Sequence, residues 1–178
     1  MNRFRNWGAS GEELTAKYPC DEVLPSPDDC LFRAIDVSAP SPIAYRWLCQ
    51  LKVAPYSYDW IDNLGRKSPV TLSPGAEELS VGERIMTIFR IVSFEWGRHL
   101  TLELDYGRSL CGEWCVSYTV RNVSEGTSRY VVKLNVRYPT GSRVSRLWRK
   151  ALCQLAPPAD LFMMRKQLIT LKKLSERS

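Results

Sequence analysis

The sequence predicts an α+β domain in which an antiparallel sheet is built in the middle of the chain and a long C-terminal helix is laid across its apolar face. Three observations predict it. Between Arg84 and Tyr138, strand-like segments alternate: Leu100, Leu102 and Leu104 share one face, as do Trp114, Val116, Tyr118 and Val120, and Tyr130, Val132, Leu134 and Val136. Short turns at Trp96-Gly97, Gly107, Gly112 and Ser124-Glu125-Gly126-Thr127 separate these segments at hairpin distance. Beyond them, Leu161, Met164, Leu168 and Leu171 recur at helical spacing, with Met163 and Leu174 widening the same stripe. A helix with that stripe needs an apolar partner, and the sheet offers one.

Taken in order, Ser10 and Glu13 form a capping-box pair that predicts a short helix over 11–17. Residues 18–29 carry three prolines and four acidic residues, which suits an extended arm wrapping the domain. The expected organisation is therefore an N-terminal arm over 1–29 and one domain over 30–178. A first strand runs from Leu31 to Val37 and stops at Ala39-Pro40. Ser41 and Pro42 then supply the cap and first-turn proline of a helix carrying Ile43, Trp47, Leu48 and Leu51, which Pro55 ends. A further short helix is expected over 58–64, with Gly65 closing it in left-handed geometry. Residues 67–82 read as a loop able to border an opening. Four strands follow, over 84–94, 98–106, 113–122 and 128–138. The last helix is expected from Pro158 to Glu176, with Pro157 and Pro158 in its first turn and Asp160 near the positive end of its dipole.

The chain of 178 residues is 44% hydrophobic and 25% charged, ordinary for a domain that buries one core. No apolar run is long enough to span a bilayer and the N-terminal stretch lacks the apolar core of a secretory signal, so a cytoplasmic location without stable membrane insertion is expected. The net charge of +6 is uneven. From Arg143 onward nine Lys/Arg face two Asp/Glu, leaving 16 basic against 17 acidic residues before it. A basic C-terminal region suits solvation, or contact with an anionic surface. No nucleic-acid-reading motif is present, and nucleic acid is not expected as a partner. Six scattered cysteines lack the spacing of a zinc site, and His99 is the single histidine, so no metal or cofactor is implied. Cys111 and Cys115 on a strand would lie about 13 Å apart, too far for a bridge.

Several residue runs carry a resemblance. They are Ala39-Pro40-Ser41-Pro42 entering the first long helix, Trp47-Leu48-Cys49-Gln50-Leu51, the run Ala54-Pro55-Tyr56-Ser57-Tyr58-Asp59-Trp60-Ile61-Asp62-Asn63-Leu64-Gly65-Arg66, and the end of the chain from Asp160 to Leu174. From about Leu31 to Leu174 the chain resembles the START-like, Bet v 1-like (SRPBCC) superfamily, and within it bacterial polyketide cyclase/dehydrase-like proteins. The resemblance implies a helix-grip fold, a curved antiparallel sheet wrapped around the last helix.

It also implies a cavity between sheet and helix for a hydrophobic small molecule, lipid or polyketide-like. Trp114, Tyr118, Tyr130, Leu134, Phe162 and Arg165 are the expected wall, with Tyr56, Tyr58 and Trp60 near the mouth. The three aromatics of the 54–63 run equally suit the filling of a corner between helices. No catalytic constellation stands out. A cyclase- or aromatase-like enzyme is the alternative, with Asp59, Asp62, Glu103, Tyr56, Tyr58, Tyr118, Arg90 or Arg137 polarising a bound carbonyl compound. An interaction or membrane-surface module using the basic C-terminal region is a third. The oligomeric state is not legible.

Overall fold

The computed structural model describes residues 3–140 and 143–178, so the first two residues of the expected arm lie outside it. The chain runs β1 (Asn6–Trp7), α1 (Gly11–Thr15), α2 (Pro19–Val23), β2 (Asp29–Val37), α3 (Ser41–Cys49) and a short 3-10 turn (Gln50–Lys52). It continues through α4 (Asp59–Asp62), β3 (Arg84–Ile85), β4 (Phe89–Glu95), β5 (His99–Leu104), α5 (Arg108–Cys111), β6 (Glu113–Ser124), β7 (Thr127–Arg137) and α6 (Arg143–Ser175). One open, curved sheet has the order β1-β2-β7-β6-β5-β4-β3 and, with α6, makes the helix-grip architecture. Every pairing is antiparallel except that of β1 with β2.

Register explains the core. Leu31, Leu134, Val116, Leu102 and Ile91 are successive cross-strand partners on β2, β7, β6, β5 and β4, so one apolar row crosses five strands. Residues two positions along each strand share that face, which adds Val132, Tyr118 and Leu100 in a second row that begins at Arg33. Leu168, Leu171 and Leu174 of α6 are buried in the same cluster, together with Tyr45, Trp47, Leu48 and Leu51 from α3 and the turn after it.

Alpha-helix α6 departs from its expected start. It begins at Arg143 and carries Pro157 and Pro158 in its interior. The bonds those prolines forgo are the ones to the carbonyls of Cys153 and Gln154. Gln154 is exposed and Cys153 half-buried. Leu152, Cys153 and the buried Ala156 pack on the core and hold the preceding turns in line. Asp160 therefore sits in mid-helix, away from the dipole's positive end.

The opposite face of the sheet is covered as well. Where an extended arm is expected over 18–29, α2 forms, and Tyr18, Cys20 and Leu24 make a second cluster with Phe32, Ala34, Cys115 and Val131. Gly8 permits this docking: its φ is +80°, and a Cβ there would meet the Ala34 carbonyl at 2.1 Å. Arg129 then bridges to Glu13 at 2.7 Å, and Lys133 to Asp21 at 2.6 Å. The expected strand over 84–94 is divided into β3 and β4 because Met86 and Thr87 adopt φ of +47° and +69°. Ser41 is the first residue of α3 rather than its cap, a place taken by Pro40 without a side-chain bond.

Candidate functional site

Between the sheet and the middle of α6 lies a cavity of about 350 Å³. Its sheet side is Phe89, Leu104, Trp114, Val116, Tyr118 and Leu134, the inward row and its neighbours. Its helix side is Ala156, Ala159, Asp160, Met163, Met164 and Gln167, recurring at three- and four-residue spacing. Two alanines stand where larger residues would fill the space, and flexible methionines border it. Tyr106 and Ile88 line the cavity and are themselves exposed, the former at 74%, so the space opens to solvent beside β4 and β5.

Polar groups in this lining are few, and most are engaged. The Tyr118 hydroxyl donates to Gln167 Oε1 at 2.9 Å, and the Gln167 amide donates to the Pro55 carbonyl at 2.7 Å. Trp114 Nε1 donates to the Cys111 carbonyl at 2.9 Å, and the Ser57 hydroxyl is held by Asp62. Burial drives the Tyr118 phenol far above its ordinary pKa and keeps it neutral.

Asp62 and Asp160 are the exceptions. Asp62 Oδ1 is enclosed without a hydrogen-bond partner. The Asp160 side chain is 7% exposed, and its Oδ2 lies 2.7 Å from Nη2 of Arg33, which is 1% exposed. Arg33 Nη2 also donates to the carbonyls of Phe4 at 2.8 Å and Pro157 at 3.3 Å, and Nη1 to that of Phe32 at 2.8 Å. With both Nη2 protons directed at carbonyls, Asp160 Oδ2 has a close countercharge but no well-aligned hydrogen bond. Burial pushes the Asp160 carboxyl up to about 6, against the opposing pull of Arg33. Desolvation likewise lowers the Arg33 pKa from its ordinary value, with Asp160 counteracting.

The expected wall residues divide. Trp114, Tyr118 and Leu134 line the cavity. Tyr130 is buried near the far end of α6, its hydroxyl 2.7 Å from the Ala44 carbonyl and 3.1 Å from Ser175. Phe162 is half exposed and stacks on Tyr58 at 4.3 Å between centroids. The Arg165 guanidinium lies 5.8 Å from the Trp7 ring centroid. Trp60 is 75% exposed. Tyr56 is buried edge-on to Trp47 and lines a separate cleft of about 270 Å³ with Ser68, Lys166 and Lys173.

Among the groups considered for carbonyl chemistry, Asp62 and Tyr118 line the main cavity. Asp59 accepts from the Ser68 amide and hydroxyl at 3.0 and 2.6 Å. Glu103 pairs with Arg90 at 2.5 Å and Arg108 at 2.8 Å, and Arg137 with Glu113 at 2.5 Å. Among the described residues, no cluster of three His, Cys, Asp or Glu gathers as metal ligands, and no helix is long and apolar enough to cross a membrane.

The sequence alone assigns Arg33 no site role and places Asp160 near the positive end of a helix dipole. One signal was available: Arg33 alternates with Leu31 and Ile35 on an inward strand face, and a charge placed there demands a buried partner.

No family model matches the chain, and no curated protein sequence matches it. Its fold is nevertheless shared with solved structures. Hypothetical protein jhp0584 from Helicobacter pylori is 13% identical, with a TM-score of 0.54 over 89% of this chain and 95% of that one. Protein CV1439 from Chromobacterium violaceum is 14% identical, with a TM-score of 0.50 over 83% and 96%. The di-domain ARO/CYC BexL from the BE-7585A biosynthetic pathway is 14% identical, with a TM-score of 0.51 over 83% of this chain and 46% of that one. At such identities the likeness is one of fold alone, the helix-grip (Bet v 1-like) fold.

Proposed function

We propose that this protein binds a hydrophobic small molecule in the space between its sheet and α6. The observation that carries the reading is the cavity itself: about 350 Å³, lined almost wholly by aliphatic, aromatic and thioether side chains, open at one rim. Small-molecule sites typically fall between roughly 300 and 1,000 Å³ and combine an apolar lining with a few placed polar groups. Here Tyr118 from the sheet and Asp160 and Gln167 from α6 supply those groups. An unfilled apolar space of this size forgoes dispersion contacts that a ligand restores.

Native mass spectrometry of gently purified protein, followed by titration with an apolar fluorophore, tests the proposal. The wild-type protein is expected to carry or take up one apolar molecule per chain. Ala159→Trp, which projects an indole into the space, is expected to abolish uptake while leaving the circular dichroism spectrum unchanged. Absence of uptake by the wild type, or equal uptake by a folded Ala159→Trp variant, overturns it.

A further inference from the structure

The polar lining is lopsided, and the imbalance identifies which end-group a ligand presents. The donors along the wall already have acceptors inside the protein: Tyr118 with Gln167, Gln167 with Pro55, Trp114 with Cys111, and Ser57 with Asp62. Asp62 Oδ1 lacks a partner but is fully enclosed by protein, out of a ligand's reach. The Asp160 carboxylate is different. Oδ2 is turned to Arg33 without receiving an aligned proton. Among the described residues no hydrogen bond reaches Oδ1, which leaves that oxygen to the cavity that Asp160 lines.

A carboxylate oxygen that opens onto an apolar space, on a side chain only 7% exposed, and lacks a donor is in an expensive state that a ligand proton relieves. We infer that the cavity selects an apolar ligand bearing a neutral hydroxyl, phenolic or aliphatic, which donates to Asp160, in preference to one whose polar atom only accepts. A carbonyl or ether oxygen at the same place meets another acceptor and is repelled. An ammonium group would donate as well, but desolvating its charge in this apolar space is costly, and Arg33 already neutralises Asp160. At pH 7.5 the carboxyl lies above the value of about 6 to which burial raises it, and is mostly the ionised acceptor.

This inference rests on the binding reading, and a matched pair of probes separates the two. Fluorescence titration at pH 7.5 compares 2-naphthol with 2-methoxynaphthalene, with (2-naphthyl)methylamine as the charged donor. A hydrogen bond to an ionised acceptor corresponds to about tenfold or more in affinity, so 2-naphthol is expected to bind at least about tenfold tighter than its ether and tighter than the amine. In Asp160→Asn the preference for 2-naphthol over the ether is expected to shrink several-fold, because a neutral acceptor bonds about half as strongly. Glu113→Gln, whose carboxylate pairs with Arg137 outside the cavity, is expected to keep it. Equal or tighter binding of the ether by the wild type overturns the hydroxyl preference while leaving the cavity a binding site. Binding of neither probe overturns both. Tighter binding of the amine refutes the neutral-ligand assignment, and the wild-type comparison decides the matter even where Asp160→Asn fails to fold.

Discussion

Arg33→Met is the perturbation that most directly tests the account of the site's support. Arg33 and Asp160 are nearly inaccessible and 2.7 Å apart, and Arg33 also serves three backbone carbonyls, of Phe4, Phe32 and Pro157. Removing the guanidinium strands a carboxylate in an apolar site and withdraws donors from those carbonyls. Breaking one partner of such a pair costs about 3–5 kcal/mol. For a chain of this size that corresponds to a melting temperature lower by roughly 10 °C. Adding Asp160→Leu removes the stranded charge, so the double variant is expected to regain more than half of the loss, with a coupling of about 2 kcal/mol or more. Urea denaturation of wild type, both single variants and the double variant at pH 7 supplies the four free energies. A loss below about 1 kcal/mol in Arg33→Met, or strict additivity in the double variant, refutes the reasoning that the pair is desolvated and mutually dependent.

Two further outcomes follow from other parts of the molecule. Gly8→Ala places a Cβ against the Ala34 carbonyl at a left-handed position, and is expected to cost about 2 kcal/mol or more. The control Gly126→Ala shares the positive φ but meets nothing within 4 Å. Thiol-labelling kinetics check it: Cys20, whose pKa burial raises to about 11 beneath the arm, should label faster in Gly8→Ala alone. The second outcome concerns pH. Burial raises the folded pKa of Asp160 from 3.8 to about 6, so its contribution favours folding below pH 4 and is lost as pH rises to 6, by about 3 kcal/mol over two units. Glu13 and Asp21 act oppositely: burial raises them, but Arg129 and Lys133 outweigh it, and their stabilisation is lost on acidification below the ordinary carboxylate range. Urea midpoints between pH 4 and 6 should therefore fall less steeply in Asp160→Asn than in wild type. Parallel curves refute the burial assigned to Asp160.

What the sequence makes legible here is periodicity, and what it conceals is partnership. Leu100 to Leu104, Trp114 to Val120 and Tyr130 to Val136 declare an inward face by alternation alone, and the paired rows follow. Trp114, Tyr118 and Leu134 reach the cavity for that reason. Tyr130 shares the face but lies farther along β7, where α3 and the end of α6 close over it. Alternation names the side of a sheet, not the position along it. The same rule misleads on the other side: Ser117, Lys133 and Asn135 alternate as polar residues facing water, yet they are buried. The arm pays their desolvation through specific bonds, Cys20 N–H to Ser117 at 2.8 Å, and Asn135 and Lys133 to Asp21 at 2.9 and 2.6 Å. Those contacts join residues about a hundred positions apart, beyond any local pattern. Pro157 and Pro158 mislead in a related way, since a proline marks a helix start only where nothing upstream holds the turn, and Leu152 and Ala156 do hold it. That continuation carries Asp160 from a helix end into the interior opposite Arg33. A single tertiary contact thus converts a carboxylate expected at a helix start into the polar focus of the cavity, and the inward-facing Arg33 is the one local sign that such a partner had to exist.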